Sequence, residues 1–312
     1  MGARGSFTSM RFSVWPSFAH PWEDLAVFST TIDQGGWHCL WYADHYMGNT
    51  DSTERSDSPA LEAWAVIGAL AAHTSRVRLG TLVSPTTVHH PAIMAKRAAT
   101  VDQISGGRLT LGLGAGWQIN EHAAYGIELY EAKDRVDRFE EAIQIIRLMG
   151  TEARTNFHGE FFTIDDAPCE PKPTQTPLPI TVGTSGPRMS RIAAKWATEW
   201  NVWGTPETVA LASAAMNRAC EAEGRDPSEQ HRSAQALVFM VDDPGTAEKI
   251  RANAPADRSL IGSTSFLVDC IGAYQAAGIG EFILPDFTLG KGLQQRLDAY
   301  ARFNAEVVGQ LS

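Results

Sequence analysis

Residues 91–116 read PAIMAKRAATVDQISGGRLTLGLGAG. Proline stands where a helix tolerates it, in the first turn, and strong helix formers follow from Ala92 to Ile104. Gly106-Gly107 stops that helix, and Leu109 to Leu113 is an apolar run of strand length. A helix that hands the chain straight to a buried strand is half of a βα repeat, and the alternation continues in both directions. Upstream, strands are expected at 11–15, 39–43 and 79–83, with helices at 21–34 and 62–74. Downstream comes a helix at 134–149, with Val136, Phe139, Ile143 and Ile146 on one stripe. Strands then fall at 178–182, 200–203, 234–241 and 281–284, and helices at 188–196, 206–223, 265–277 and 293–308.

Strict alternation predicts a parallel sheet with helices outside it. Eight such β-then-α units fit a closed (β/α)8 TIM barrel with insertions in its βα loops. An open doubly wound sheet is the alternative, and no GxGxxG follows the first strand to support it. Three long connections, 46–61, 117–133 and 242–264, follow strands and so belong to the C-terminal face, where active sites of this fold are built. A fourth, 150–177, contains Phe161-Phe162-Thr163-Ile164 and reads as an inserted excursion.

The 312 residues carry 36 acidic against 26 basic side chains, a net charge of −10. That balance argues against a nucleic-acid partner. No apolar run reaches the roughly 18 residues of a membrane span. Residues 1–9 are small and polar, without the apolar core of an export signal. They are expected to form a disordered leader to a single domain over 10–312, placed in the cytoplasm. Cys39, Cys169, Cys220 and Cys270 form no CxxC pair and read as isolated reduced thiols. No HExxH is present, and the adjacent His89 and His90 need not converge on one ion, so no metal is expected.

The candidate chemistry lies after strands. Asp44-His45 ends the second strand, which places an imidazole at the barrel mouth to donate a hydrogen bond or pass a proton. Asp44 is expected to orient a neighbour or adjust local charge. Residues 79–87 end the third strand in a polar, proline-containing cluster that suggests a bulge. Gly112, Gly114 and Gly116 alternate at the end of the fourth strand and would let the backbone approach a ligand. Trp117, Asn120 and Glu121 follow them. Gly183, Thr184, Ser185 and Gly186 precede a helix, and Arg188 adds charge, an arrangement suited to a phosphate. Trp15, Trp41 and Trp117 fall near strand ends and could wall an aromatic pocket.

These motifs resemble the luciferase-like monooxygenase superfamily and, within it, the F420-dependent oxidoreductases. The resemblance is carried by His90-Pro91-Ala92, by Ala98 through Leu109, by Gly112 through Trp117, and by Trp196-Ala197-Thr198-Glu199-Trp200-Asn201. The last run departs at Thr198 and Glu199 from the family's Ala-Asp-Gly-Trp-Asn.

The resemblance implies a cofactor across the barrel mouth, its ring on a bulge with a non-prolyl cis peptide at Leu82-Val83. It implies His45 beside that ring, with Asp44 at its side as the other catalytic residue. Gly116, Trp117 and Asn120 would line the cleft, and Gly183, Thr184, Ser185 and Gly186 would take the phosphate. The implied cofactor is F420, with FMN as the alternative. The implied activity is hydride transfer to or from a small organic substrate, with a homodimer and a cofactor reductase as implied partners. The rivals are an FMN-dependent monooxygenase and a cofactor-binding protein without turnover. Trp117 occupies the position where the family's sugar-phosphate dehydrogenases carry a catalytic glutamate, so that activity is not expected.

Overall fold

The computed structural model describes residues 10–311; the leader expected over 1–9 lies outside the described residues. The main sheet has nine strands, of which one is the two-residue segment Ser84–Pro85. The other eight are β1 (Arg11–Trp15), β2 (Cys39–Tyr42), β3 (Arg78–Thr81), β4 (Leu109–Gly114), β5 (Ile180–Gly183), β6 (Glu199–Trp203), β7 (His231–Gln235) and β8 (Glu281–Pro285). Each pairs in parallel with its chain neighbours, and β8 pairs with β1 to close the ring. This is the expected (β/α)8 TIM barrel.

Eight helices cover it: α1 (Trp22–Gln34), α2 (Ala63–His73), α3 (Pro91–Ser105), α4 (Ala132–Thr151), α5 (Pro187–Trp196), α6 (Pro206–Ala222), α7 (Thr264–Ala276) and α8 (Leu293–Glu306). The stretch from Pro91 to Gly116 behaves as its residues dictate. His90 caps α3 by accepting the Ala92 N–H, Pro91 takes the first position, and Gly106 ends the helix at φ 67°. There the N–H of Gly107 bonds the Asp102 carbonyl at 2.9 Å, satisfying a last-turn acceptor. All six residues of β4 are buried, as expected of a strand covered on both faces.

The apolar interior has two parts. A large outer core lies between strands and helices and includes Leu111, Val182 and Trp200 from the strands and Phe139, Ile143 and Ile146 from α4. A small inner cluster of Trp15, Cys39, Trp41, Ala43, Leu82 and Ile283 fills the barrel. Trp41 fits there because β3 offers Gly80 beside it; a Cβ on Gly80 would lie 2.4 Å from the indole. All four cysteines are buried and unpaired.

Two expectations need correction. The strand expected over 234–241 is broken at Ala236. Its first part belongs to β7, while Leu237–Met240 leaves the barrel to pair with Ser259–Gly262 in a separate two-stranded sheet. An apolar run carries no mark of such a turn-off. The connection 242–264 also holds a helix, Pro244–Arg251, whose Asp243 cap accepts the Thr246 N–H at 2.7 Å. That Asp-Pro start signal was present in the sequence. The 150–177 excursion contains an antiparallel hairpin, Thr155–His158 with Thr163–Ala167.

Toward the N-terminal end, the barrel holds one fully buried carboxylate. Glu281 Oε1 accepts from Ser13 Oγ at 2.6 Å and Trp41 Nε1 at 2.9 Å, and Oε2 lies 3.0 Å from His231 Nε2. Burial alone would push this carboxyl up. The hydrogen bond and charge of His231, the charge of His38 and the Ser13 hydroxyl outweigh it, leaving the pKa at about 2 instead of 4.5. Its contribution to stability, roughly 3 kcal/mol, is complete above pH 4.5 and is lost as pH falls toward 2. His38 is drawn down by burial from 6.5 to about 4, so acid also favours unfolding there as pH drops through that window. In thermal unfolding, Glu281→Gln should be less stable than the natural protein at neutral pH. The gap should narrow as pH is lowered from 4.5 toward 2; a gap independent of pH would refute the assignment.

Candidate active site

At the C-terminal mouth of the barrel lies a cavity of about 710 Å³, inside the ~300–1,000 Å³ range of small-molecule pockets. Its walls come from the ends of β1 to β8 and their following loops. A smaller cavity of about 270 Å³ on the outer helical face, at Arg147 and Trp196, gathers no paired acid and base.

One wall is a bulge. β3 pairs with β4 at Gly80↔Thr110, and Ser84 pairs with Leu113. Four residue steps on one side face three on the other, so one residue is extra. Within this segment the Leu82–Val83 peptide is cis, where the family resemblance placed it. The segment has room because of β4's glycines. A Cβ on Gly112 would fall 1.8 Å from the Thr81 carbonyl oxygen, and one on Gly114 would fall 2.6 Å from Val83 Cγ2. The alternate glycines therefore admit the neighbouring segment first, its Thr81 carbonyl at Gly112 and its Val83 side chain at Gly114, and a ligand only at Gly114 and Gly116, which border the cavity. Gly116 adopts φ +90°, and its missing Cβ leaves space for Thr87 Oγ1.

His45 borders the cavity. Its Nδ1 lies 3.0 Å from Glu121 Oε1, and Glu121 Oε2 accepts the Tyr46 backbone N–H at 2.9 Å. Glu121 comes from a short helix, Ile119–Tyr125, in the loop after β4. The imidazole edge meets Trp117 at 5.6 Å and Phe18 at 5.9 Å between ring centroids. Trp117 is 56% exposed on the cavity rim.

Not every expected residue reaches the cavity. Asp44 does not border it: its Oδ2 accepts from Ser84 Oγ at 2.6 Å and His89 Nε2 at 2.8 Å. The carboxylate thus ties the end of β2 to the segment just past the bulge, behind the wall. Asn120 is also turned away, its Nδ2 donating to the Gly48 carbonyl and its Oδ1 accepting the Glu121 N–H. On one helical turn, the side chain aimed at His45 is Glu121. His89 and His90 diverge, the first to Asp44 and the second to the start of α3.

Leu82, Val83, Gly116, Trp117, Gly183, Thr184 and Ser185 all line the cavity. In the loop after β5, the Thr184 N–H is committed to the Asn201 carbonyl and the Gly186 N–H to Thr184 Oγ1. Gly186 caps α5 and stands just outside the cavity lining. The first intrahelical bond runs from Ser190 to Gly186, which leaves the N–H groups of Arg188 and Met189 without helical partners. The Ser185 N–H has no partner among the described residues. Arg188 contributes no side-chain charge here, because its guanidinium pairs with Asp137 and the Lys133 carbonyl.

Of the opposite wall, sequence reasoning anticipated only Trp15. Trp203 packs on Trp15 at 5.4 Å, and Phe287 on Trp15 at 5.3 Å. Asn201 and Gln235 bond each other reciprocally, amide to amide, at 2.6 and 2.9 Å. Arg258 completes that side. Trp203 ends β6, where inspection of strand ends would have found it, whereas Gln235 ends β7 only because the strand breaks at Ala236, which the sequence does not mark. Trp41 is inside the barrel and is no part of the wall.

The sequence profile described as luciferase-like monooxygenase matches residues 3–298. An F420-dependent glucose-6-phosphate dehydrogenase from Kineococcus radiotolerans is 32% identical over 74% of this chain and 68% of its own length. An F420-dependent hydroxymycolic acid dehydrogenase from Mycobacterium tuberculosis is 30% identical over 72% of this chain and 61% of its own. The pyrimidine monooxygenase RutA from Escherichia coli is 34% identical over 62% of this chain and 52% of its own. The chain thus spans between about half and two thirds of the relatives it matches. A solved F420-dependent secondary alcohol dehydrogenase, in complex with an F420-acetone adduct, shares the fold at TM-score 0.82 and 19% identity, covering 98% of this chain and 100% of that one.

The bulge makes a direct stability prediction. Gly112→Ala forces its Cβ against the Thr81 carbonyl and should destabilise the protein by about 1–3 kcal/mol, as overpacking does. A Cβ added at Gly68, in α2, would meet nothing within 4 Å, so Gly68→Ala should be neutral or stabilise by up to ~1 kcal/mol. Chemical unfolding of the two variants checks the contrast. Equal midpoints would contradict the packing account.

Proposed function

The chain belongs to the luciferase-like monooxygenase family, and on that premise we propose that it is an F420-dependent oxidoreductase acting on a small organic substrate. The observation that carries the reading is the pairing, in one cavity, of the Leu82–Val83 bulge with His45 on one side and the amides after β5 on the other. The donor set fits an anionic cofactor: Ser185, Arg188 and Met189 offer N–H groups at a helix N-terminus, where phosphate is favoured. The bulge offers a mostly apolar ledge of Leu82 and Val83 for a flat ring. Bound there, the deazaflavin supplies hydride transfer at its C5 carbon.

This chain's residues then position, shield and move a proton. His45 donates to or accepts from the reacting group, Trp117 and Phe18 flank its ring, and Trp15, Trp203 and Phe287 give the opposite wall an aromatic patch beside Asn201 and Gln235. Asp44 acts from behind the wall, fixing the bulge through Ser84. Trp117 in place of an acidic residue makes glucose 6-phosphate a poor substrate. A homodimer and a cytoplasmic setting belong to the same reading. A second reading, an FMN-dependent monooxygenase supplied by a separate reductase, draws support from the similarity to RutA.

Titration of the purified protein with F420 and with FMN separates the two. We expect saturable F420 binding at least tenfold tighter than FMN; the reverse order would favour the monooxygenase. With F420 bound, secondary alcohols should reduce it and glucose 6-phosphate should not. His45→Ala should lower turnover by about 10²-fold or more with little change in thermal midpoint. Undiminished turnover would remove His45 from the mechanism.

A further inference from the structure

The imidazole of His45 has one nitrogen engaged and one free. Nδ1 lies 3.0 Å from Glu121 Oε1. Glu121 is only 2% exposed, and its second oxygen is held by the Tyr46 backbone N–H. An ionised carboxylate has no proton to give, so with Glu121 in that form the hydrogen of this contact is on Nδ1. Nε2 has no partner among the described residues, and the ring borders the cavity. Phe18 and Trp117 flank the imidazole, and turning the ring over would swap Nδ1 with Cδ2 and lose the contact with Glu121.

The carboxylate next to His45 in sequence cannot do this. Asp44 is occupied by Ser84 and His89, and His89 Nδ1 is in turn 3.2 Å from Arg97 Nη1. The carboxylate that reaches His45 comes from 76 residues away, delivered by the short helix Ile119–Tyr125.

We propose that Glu121 is a positioning residue, which pins His45 as the Nδ1–H tautomer and presents Nε2 to the cavity as an acceptor for a ligand hydroxyl. The inference rests on the reading of this cavity as the reaction site and gives that site a direction for its proton. A proton leaving the ligand oxygen lands on Nε2, the Nδ1–H stays where it is, and the resulting imidazolium faces the buried carboxylate. This is the same division of labour by which a buried carboxylate orients a histidine in hydrolytic triads. A cavity with an imidazole acceptor at its wall suits a substrate that brings a hydroxyl to it.

The tautomer is readable without turnover. In the full-length protein labelled with ¹⁵N-histidine, the His45 signal among nine histidines is identified by its loss in His45→Ala. At a pH where the ring is neutral, the ¹⁵N shifts should report the Nδ1–H form. In Glu121→Leu, which keeps bulk and removes the acceptor, the ratio of Nδ1–H to Nε2–H should fall by roughly tenfold or more, the worth of a hydrogen bond to a charged group. An Nε2–H form in the natural protein, or an unchanged ratio in Glu121→Leu, would overturn the proposal. If Glu121→Leu does not fold, the tautomer of the natural protein decides alone. Repeating the spectrum with F420 added separates this inference from the cofactor reading. Absence of any F420-induced change, with the Nδ1–H form intact, would count against the cofactor and leave the tautomer standing.

Discussion

The mouth of this barrel depends on a close approach between two strands. The Thr81 carbonyl and the Val83 side chain press against β4 at distances a Cβ there would not allow, and Gly112 and Gly114 are what permit it. The extra residue there cannot be absorbed into the ladder, so it projects Leu82 and Val83 into the cavity. On the far side Gly183 also meets Val83, at 3.3 Å from its would-be Cβ. Ledge and amide loop are thus built against each other.

Two buried carboxylates hold the rest of the site, and they do different things. Asp44 joins the end of β2 to Ser84 and His89, so the bulge cannot move relative to the strand that carries His45. Glu121 takes one nitrogen of His45 and the amide of Tyr46 together. Neither carboxylate is exposed, and each is held by hydrogen-bond donors, the condition under which a buried charge is tolerable. Polar groups on the opposite wall follow the same rule through the Asn201–Gln235 pair. A cavity whose protein groups are mostly satisfied among themselves leaves few free atoms to address a ligand, and His45 Nε2 and the Ser185 amide stand out among them.

Much of the fold was legible because its signals are local. Pro91, Gly106 and the Ala-rich stretch between them mark α3 without reference to anything distant, and the same holds for most units. The failure at Ala236 has a physical cause: Ala234 to Val241 is apolar almost throughout, and burial in two different sheets looks the same in sequence. The lining of the cavity was legible where backbone position decides it, as for Leu82, Val83, Gly116 and Ser185. It was not legible where side-chain direction decides. Asn120 and Glu121 are neighbours on one helical turn and point to different partners, and Asp44 faces away from the cavity that its neighbour faces. Family resemblance located the cis peptide but could not choose between those carboxylates.

The central claim is that a flat redox ring rests on the Leu82–Val83 ledge with its anionic tail at the amides after β5. A crystal structure of the protein grown with F420 tests it most directly. The account predicts the deazaflavin ring against Val83, within reach of His45 Nε2, and the phosphate within hydrogen-bonding distance of the Ser185 N–H. A ring bound elsewhere, or a phosphate held by side chains away from that loop, would contradict it.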